Sequence, residues 1–474
     1  MTTASSTAPA EASRPAARGR WVPLRPLVLR LHFYAGVLVA PFLLVAAVTG
    51  LLYAGSFQAE KLVYDHELTV PVGRAQLPLS AQVAAAREAH PEGAVAAVRP
   101  APEAGATTRV LLSGVQGTGP GRTLAVFVDP CTGRVRGALP QYGSTGALPL
   151  RTWIDELHRD LHPGETGRLY SELAASWLWV ITAGGLALWF SRRRALRKVR
   201  GTGGRRRTLG LHATVGVWTA AGFLFLSATG LTWSTYAGAN IDELRTSLGQ
   251  ATPSVSTSAP GGEHTGHGTA ADTAAQGVGL DKVLAAARTK GLSNPVEIVP
   301  PADAHSAYVV RQVQRSWPEK QDSVAVDPTT GKVTDELRFA DYPVLAKLTR
   351  WGIDLHTGVL FGLVNQIALA LLALALILLI VWGYRMWWQR GRGSAFGRPV
   401  PRGAWAEVPP HLLVPALAAI AALGCFVPLL GIPLAGFLAL DVVLGEIAHR
   451  RSVLRQQKGG DGEMPPAPPA SPCS

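Results

Sequence analysis

The sequence predicts an α-helical integral membrane bundle of four core spans plus a C-terminal helical hairpin. The bundle carries two small α+β extracytoplasmic domains and is built by internal duplication. Three observations predict this. Apolar runs of roughly 18–26 residues recur at Leu31–Tyr53, Leu173–Phe190, Leu211–Trp233 and Val359–Tyr384, and about 20 helical residues cross a hydrocarbon core of roughly 30 Å. Charged residues are only 16% of the 474, against about 25% in soluble domains, and mean hydropathy is +0.18. Short motifs also repeat in the same order in the two halves.

In chain order, residues 1–20 are rich in Ala, Ser, Thr, Pro and Arg and read as a disordered cytoplasmic tail. No signal peptide precedes the first span, at 21–55, so it is expected to stay as an anchor. The first outer domain, 56–150, has a helix over Leu79–Ala89 with Ser80 as its N-cap, then strands Thr108–Ser113 and Thr123–Asp129. A Pro-Cys-Thr-Gly turn leads from Asp129 into a strand at Arg134. The second span lies in 151–195, a basic loop in 196–207 and the third span in 208–236. The second outer domain, 237–345, has a helix over Leu280–Thr289 capped by Asp281, then strands Ala307–Gln312, Ser323–Asp327 and one from Lys332. Within it, 251–278 reads as a flexible Ser/Thr/Gly/Ala/Pro insertion. The fourth span falls in 346–390, followed by a cytoplasmic loop, 391–410. A membrane hairpin, 411–448, is broken at Pro428–Gly431 and Pro433, and Asp441 weakens its second arm. With the tail at 449–474, the count is six spans.

Basic residues set the orientation. Ser191–Arg207 holds nine Lys/Arg and no acid, and residues 1–30, Arg385–Arg402 and the stretch after His449 hold five, five and four. These alternate segments belong in the cytoplasm by the positive-inside rule. Both termini are then cytoplasmic, and the two long loops lie outside a multi-pass cytoplasmic-membrane protein. The formal charge of +13 is therefore a topology signal plus attraction to lipid head groups, not a nucleic-acid footprint.

The halves match in order. Arg30-Leu-His32-x3-Gly36 parallels Gly210-Leu-His212-x3-Gly216, and Thr49-Gly50-Leu51 parallels Thr229-Gly230-Leu231. Val128-Asp-Pro-Cys-Thr-Gly-Arg-Val135 parallels Val326-Asp-Pro-Thr-Thr-Gly-Lys-Val333. Asp160-Leu-His162-Pro-Gly164 parallels Asp354-Leu-His356-Thr-Gly358. Parallel repeats of this kind are related by an axis along the membrane normal.

This series of motifs resembles the PepSY-associated transmembrane proteins, also described as iron-regulated membrane proteins, over about residues 26–390. The resemblance implies two PepSY-like outer domains and a place among inner-membrane ferric-siderophore reductases that bind b-type haem. PepSY domains also occur in protease propeptides, so a non-enzymatic regulatory or binding protein, whose outer domains hold a protease or ligand, is the alternative.

His32, His162, His212 and His356 occupy repeat-matched positions at span ends. The partial positive charge at a helix N-terminus disfavours imidazolium, and neutral imidazole binds iron. Pairing His32 with His212 inside and His162 with His356 outside would give bis-His ligation of two haems b. His32, Gly36, Ala40, Leu43, Ala47 and Gly50 share one helical face, as do His212, Gly216, Ala220, Phe223, Ser227 and Gly230. Small residues there leave room for a macrocycle, or simply let helices approach. Each His alone also fits an interfacial residue bonded to lipid or backbone. His158, four residues before His162, is an alternative outer ligand or a proton or metal contact.

Other signals are weaker. Trp177, Trp179, Trp382, Trp387 and Trp388 fit interfacial anchors. His264 and His267 sit in the flexible insertion, and Cys131, Cys425 and Cys473 form no metal or disulfide pattern. No GxGxxG or Walker sequence occurs, so the electron donor is expected to be a quinol or a redox protein. The expected partners are the lipid bilayer and a ferric chelate.

Overall fold

The computed structural model describes residues 25–73, 75–197, 204–257, 277–303, 305–389 and 410–460. The tail at 1–20, the His264/His267 pair, most of the 251–278 insertion and the loop at 391–409 lie outside them. The chain divides into two compact units, Val39–Trp179 with Trp218–Trp382, and Met1–Leu38 with Val180–Val217 and Gly383–Ser474. Among the described residues, five helices are long and apolar enough to cross a membrane: Ala40–Val63, Glu165–Ser191, Arg205–Leu231, Gly362–Trp388 and Pro428–Ile447. The chain is a membrane protein.

The first expected span is two helices, α1 (Arg25–Leu38) and α2 (Ala40–Val63), parted at Val39. Pro41 causes the break. It has no N–H to give the carbonyl of Val37, four residues back. That carbonyl instead accepts the hydroxyl of Tyr384 at 2.8 Å. Val39 itself keeps a right-handed helical conformation (φ −90°, ψ −19°). A short helix α3 (Asp65–Leu68) follows.

The two expected outer domains share one sheet. Helix α4 (Leu79–Ala89) precedes strands β1 (Ala94–Arg99), β2 (Thr108–Ser113), β3 (Arg122–Val128) and β4 (Val135–Tyr142). Helices α5 (Pro149–Asp160), α6 (Glu165–Arg197), α7 (Arg205–Leu231) and α8 (Tyr236–Ser247) come next. The second meander is α9 (Gly279–Thr289), β5 (Val296–Val299), β6 (Tyr308–Gln312), β7 (Ser323–Val326) and β8 (Val333–Leu337). The eight strands run β4-β3-β2-β1-β5-β6-β7-β8, with Val98 opposite Ile298 at the seam.

One face of this sheet buries a single apolar cluster under α4 and α9. Val83 and Ala86 of α4 and Val283 and Ala287 of α9 sit with Val98, Val110, Ile298 and Val310. The caps differ from expectation. Pro78 precedes α4, and the Asp281 carboxylate of the second meander accepts the α4 amides of Leu79 (2.6 Å) and Ser80 (3.2 Å). Asp281 thus caps its neighbour, satisfying amides that have no partner within their own helix. Both Asp-Pro turns close as expected. Asp129 accepts the Cys131 amide at 2.8 Å and Asp327 the Thr329 amide at 2.8 Å, and Gly133 and Gly331 both have φ 74°.

Four helices complete the chain: α10 (Val344–His356), α11 (Gly362–Trp388), α12 (Pro410–Phe426) and α13 (Pro428–Gly460). The expected fifth span, α12, has 17 described residues, of which Leu417–Phe426 form a shorter apolar helix. Gly424 and Gly431 let α12 and α13 meet closely, since a Cβ on Gly431 would lie 2.4 Å from the Gly424 carbonyl.

Candidate functional site: paired histidines

Two histidine pairs stand apart from the other imidazoles, one in each unit. In the unit containing α1, the His32 Nδ1 lies 2.9 Å from the carbonyl of Ile181 on α6. A carbonyl only accepts, so Nδ1 carries the proton and Nε2 keeps its lone pair. The His32 and His212 rings are 6.4 Å apart between centroids, with planes at 78°. Two imidazoles sharing one metal at roughly 2.0–2.1 Å hold their centroids about 6 Å apart, so the spacing fits one metal between them. The approach depends on Gly184 and Gly185 of α6. A Cβ on Gly185 would lie 3.1 Å from the His32 ring, whereas one on Gly36 would meet nothing within 4 Å. Gly216 is half-buried one turn after His212.

The opposite side of α1 is clamped as well. Arg30 donates to the Asp441 carboxylate at 2.8 Å, and both side chains are buried. Beside them the Tyr34 and Phe437 rings are 5.7 Å apart, and Phe33 meets Trp387 edge-on. Asp441, which weakens its span by sequence, has its cation on the histidine-bearing helix.

The second pair is His158 and His356. Thr49 Oγ1 donates to the Val45 carbonyl (2.8 Å) and lies 2.9 Å from the Nδ1 of His158; with its proton so used, it accepts an Nδ1–H. Thr229 gives its proton to the Phe225 carbonyl (2.8 Å) and accepts that of His356 at 2.6 Å. Each ring lies over the glycine after its threonine. A Cβ on Gly50 would be 3.2 Å from the His158 ring, and one on Gly230 3.9 Å from that of His356. Both histidines lie on α5 and α10, outside the five long apolar helices. Burial pushes His158 down to about 4. Burial first, then the nearby His158, pushes His356 down to about 3. Both rings are neutral with Nε2 unprotonated, the form that ligates metal.

His162 is placed elsewhere. It is exposed, follows the end of α5 with φ 71°, stacks on Trp153 at 4.9 Å and sits 3.8 Å from Glu156. The residue equivalent to His356 is His158. The sequence carried the signal: Val128 and Val326 are 198 positions apart and so are His158 and His356, whereas His162 and His356 are 194 apart. The Asp-Leu-His alignment slips by about one helical turn. Thr49 and Thr229 were legible as a repeated motif, but not as hydrogen-bond acceptors. In the 198-residue register Gly185 falls on Gly383, whereas Gly184 has no glycine partner.

Among the described residues no group of three or more His, Cys, Asp or Glu could hold a bare metal ion. Paired imidazoles suit instead a metal that brings its own equatorial ligands, as haem does. The residues present fit that group: the His32 and His212 rings are spaced for one metal, Nδ1 of His32 is held by the Ile181 carbonyl, and the space beside Gly36 is open.

The family model for the PepSY-associated TM region matches residues 29–390, which include both histidine pairs and leave the C-terminal hairpin outside. None of the curated proteins matches the chain. The chain belongs to the family of proteins with a PepSY-associated transmembrane region.

Proposed function

We propose that this chain is a b-type haem protein that passes electrons across the cytoplasmic membrane, with an extracytoplasmic ferric chelate as acceptor for iron uptake. The observation that carries the reading is the repeated threonine-held imidazole: His158 on Thr49 and His356 on Thr229, each with Nε2 free. His32 with His212 and His158 with His356 would hold one haem each, His158 taking the place that the Asp-Leu-His motif gave to His162. Haem, when bound, supplies one-electron chemistry at iron. The chain's own residues do the rest. Ile181, Thr49 and Thr229 fix the ring orientation and tautomer, so ligation displaces no proton from Nε2. Gly50, Gly184, Gly185 and Gly230 let the rings approach the neighbouring helices. In this reading the halves arose by duplication, the basic loops and both termini are cytoplasmic, and the sheet lies outside. A quinol or redox protein supplies the electrons.

Pyridine haemochrome analysis of the purified full chain tests the reading. Two haems b per chain are expected. His158→Ala and His356→Ala should each remove about one, His32→Ala and His212→Ala the other, and His162→Ala none. A colourless wild-type protein would overturn the reading and favour a binding module.

A further inference from the structure

The sheet face opposite α4 and α9 carries charge beside an apolar cluster of Ala97, Leu111, Ala125, Phe127 and Leu148. Along one line across the seam stand Arg109 (β2), Arg99 (β1), Glu297 (β5) and Arg311 (β6). Arg99 is directly opposite Arg109, and Glu297 opposite Arg311. Glu297 holds both Arg99 (2.6 Å) and Arg311 (2.9 Å). Arg109 has no carboxylate bonded to it among the described residues. It touches only the Gln141 amide oxygen and the Gly146 carbonyl, each at 3.4 Å, and the face of Phe127. Glu60 attracts it but already binds Arg151 and the Leu148 amide.

The loop 143–147 gathers more of this charge. Its carbonyls at Ser144, Thr145 and Gly146 accept from Arg99 (3.3 Å), Arg151 (3.4 Å) and Arg109 (3.4 Å), and the Ser144 hydroxyl meets Arg315 at 3.4 Å. Two of the guanidinium groups converge on one point. A Cβ built on Gly146, whose φ is 65°, would lie 2.8 Å from Nη1 of Arg99 and 3.2 Å from Nη1 of Arg109. The buried Nη1 of Arg151 finds no acceptor. Burial, then the Arg99 charge, lowers Arg109 to about 10.

Like charges directly opposite on adjacent strands repel, and a half-buried cation without a bonded anion, as Arg109 is, is costly. The guanidinium fork matches a carboxylate in a bidentate fashion. We infer that Arg99 and Arg109, with the loop 143–147 and Arg151, form a binding site for the carboxylates of an anion. That anion is either a carboxylate-bearing ferric chelate or the carboxylates of a bound haem. The inference rests on the proposed reading only for its purpose; haemochrome analysis decides that reading, and the experiment below decides this one.

Citrate is the probe. The full chain in detergent, haem-loaded and haem-free, is melted with and without millimolar citrate. Citrate should raise the Tm of the wild type by several degrees and less so at high salt. Arg109→Leu should abolish that shift and raise the citrate-free Tm, because the repulsion with Arg99 is gone. A shift in both preparations assigns the site to a free chelate. A shift in the haem-free protein alone, with haem lost from Arg109→Leu, assigns it to the cofactor's carboxylates. No shift in either preparation overturns the inference, as does an Arg109→Leu protein that melts lower yet keeps its citrate response. If that variant does not accumulate, Arg109→Lys, which keeps the charge and loses the fork, should cut the shift at least threefold. An unchanged shift is the contrary result.

Discussion

At the scale of single residues, the threonines decide what the histidines can do. Thr229→Val keeps the shape of the side chain but removes the acceptor for the His356 Nδ1–H. Loss of such a supporting hydrogen bond lowers metal affinity by about 10–100-fold. We expect haem affinity to fall in that range in Thr229→Val and Thr49→Val and to be retained in Thr229→Ser, as measured by haem titration of the apoprotein. The same burial makes acid destabilising. His158 and His356 titrate near 6.5 unfolded and at about 4 and about 3 folded. Below the unfolded value the unfolded chain binds protons that the folded chain refuses, so stability falls as pH drops from 6.5 toward 4 and is flat above. Melting curves across that range should show the slope, and His356→Leu should reduce it. From the sequence, His32 was paired with His212 and His356 with His162, with His158 as an alternative; the structure places His158, not His162, against a threonine as His356 is. A repeated motif slipped by one helical turn looks nearly as good as the true register. The Thr–His bonds cross 109 and 127 positions and leave no local pattern.

At the scale of elements, α1 is a short helix hinged at Pro41 and held from both sides. Ile181 bonds its histidine, and Asp441 and Phe437 grip its other face. Breaking a buried ion pair costs about 3–5 kcal/mol, whereas replacing both partners with apolar residues is often neutral. Asp441→Asn should therefore destabilise the protein by several kcal/mol, and Arg30→Leu with Asp441→Leu should recover most of that, as measured by denaturant melts in detergent. The helices α4 and α9 and the strands at the Asp-Pro turns were legible from helix-forming composition, turn residues and alternation. Strands β1 and β5 were not. The first is Ala-Val-Ala-Ala-Val-Arg, poor in β-branched and aromatic residues, and the second has four residues. Each is held between two neighbours, β1 between β2 and β5, and β5 between β1 and β6. The cap given by Asp281 to α4 was misassigned for a similar reason, since residue and partner are 202 positions apart.

At the scale of the whole chain, the long apolar helices were visible in hydropathy, because it follows from the cost of placing polar groups in lipid. The single eight-stranded sheet was not, because no local signal tells two neighbouring domains to share an edge. The family match ends at residue 390, yet the chain continues into a hairpin that reaches back 411 positions to Arg30. That reach has a consequence for biogenesis. Arg30 is synthesised 411 positions before Asp441, so this buried ion pair closes only once α13 has been made, and until then the two ends of the chain are not joined through it.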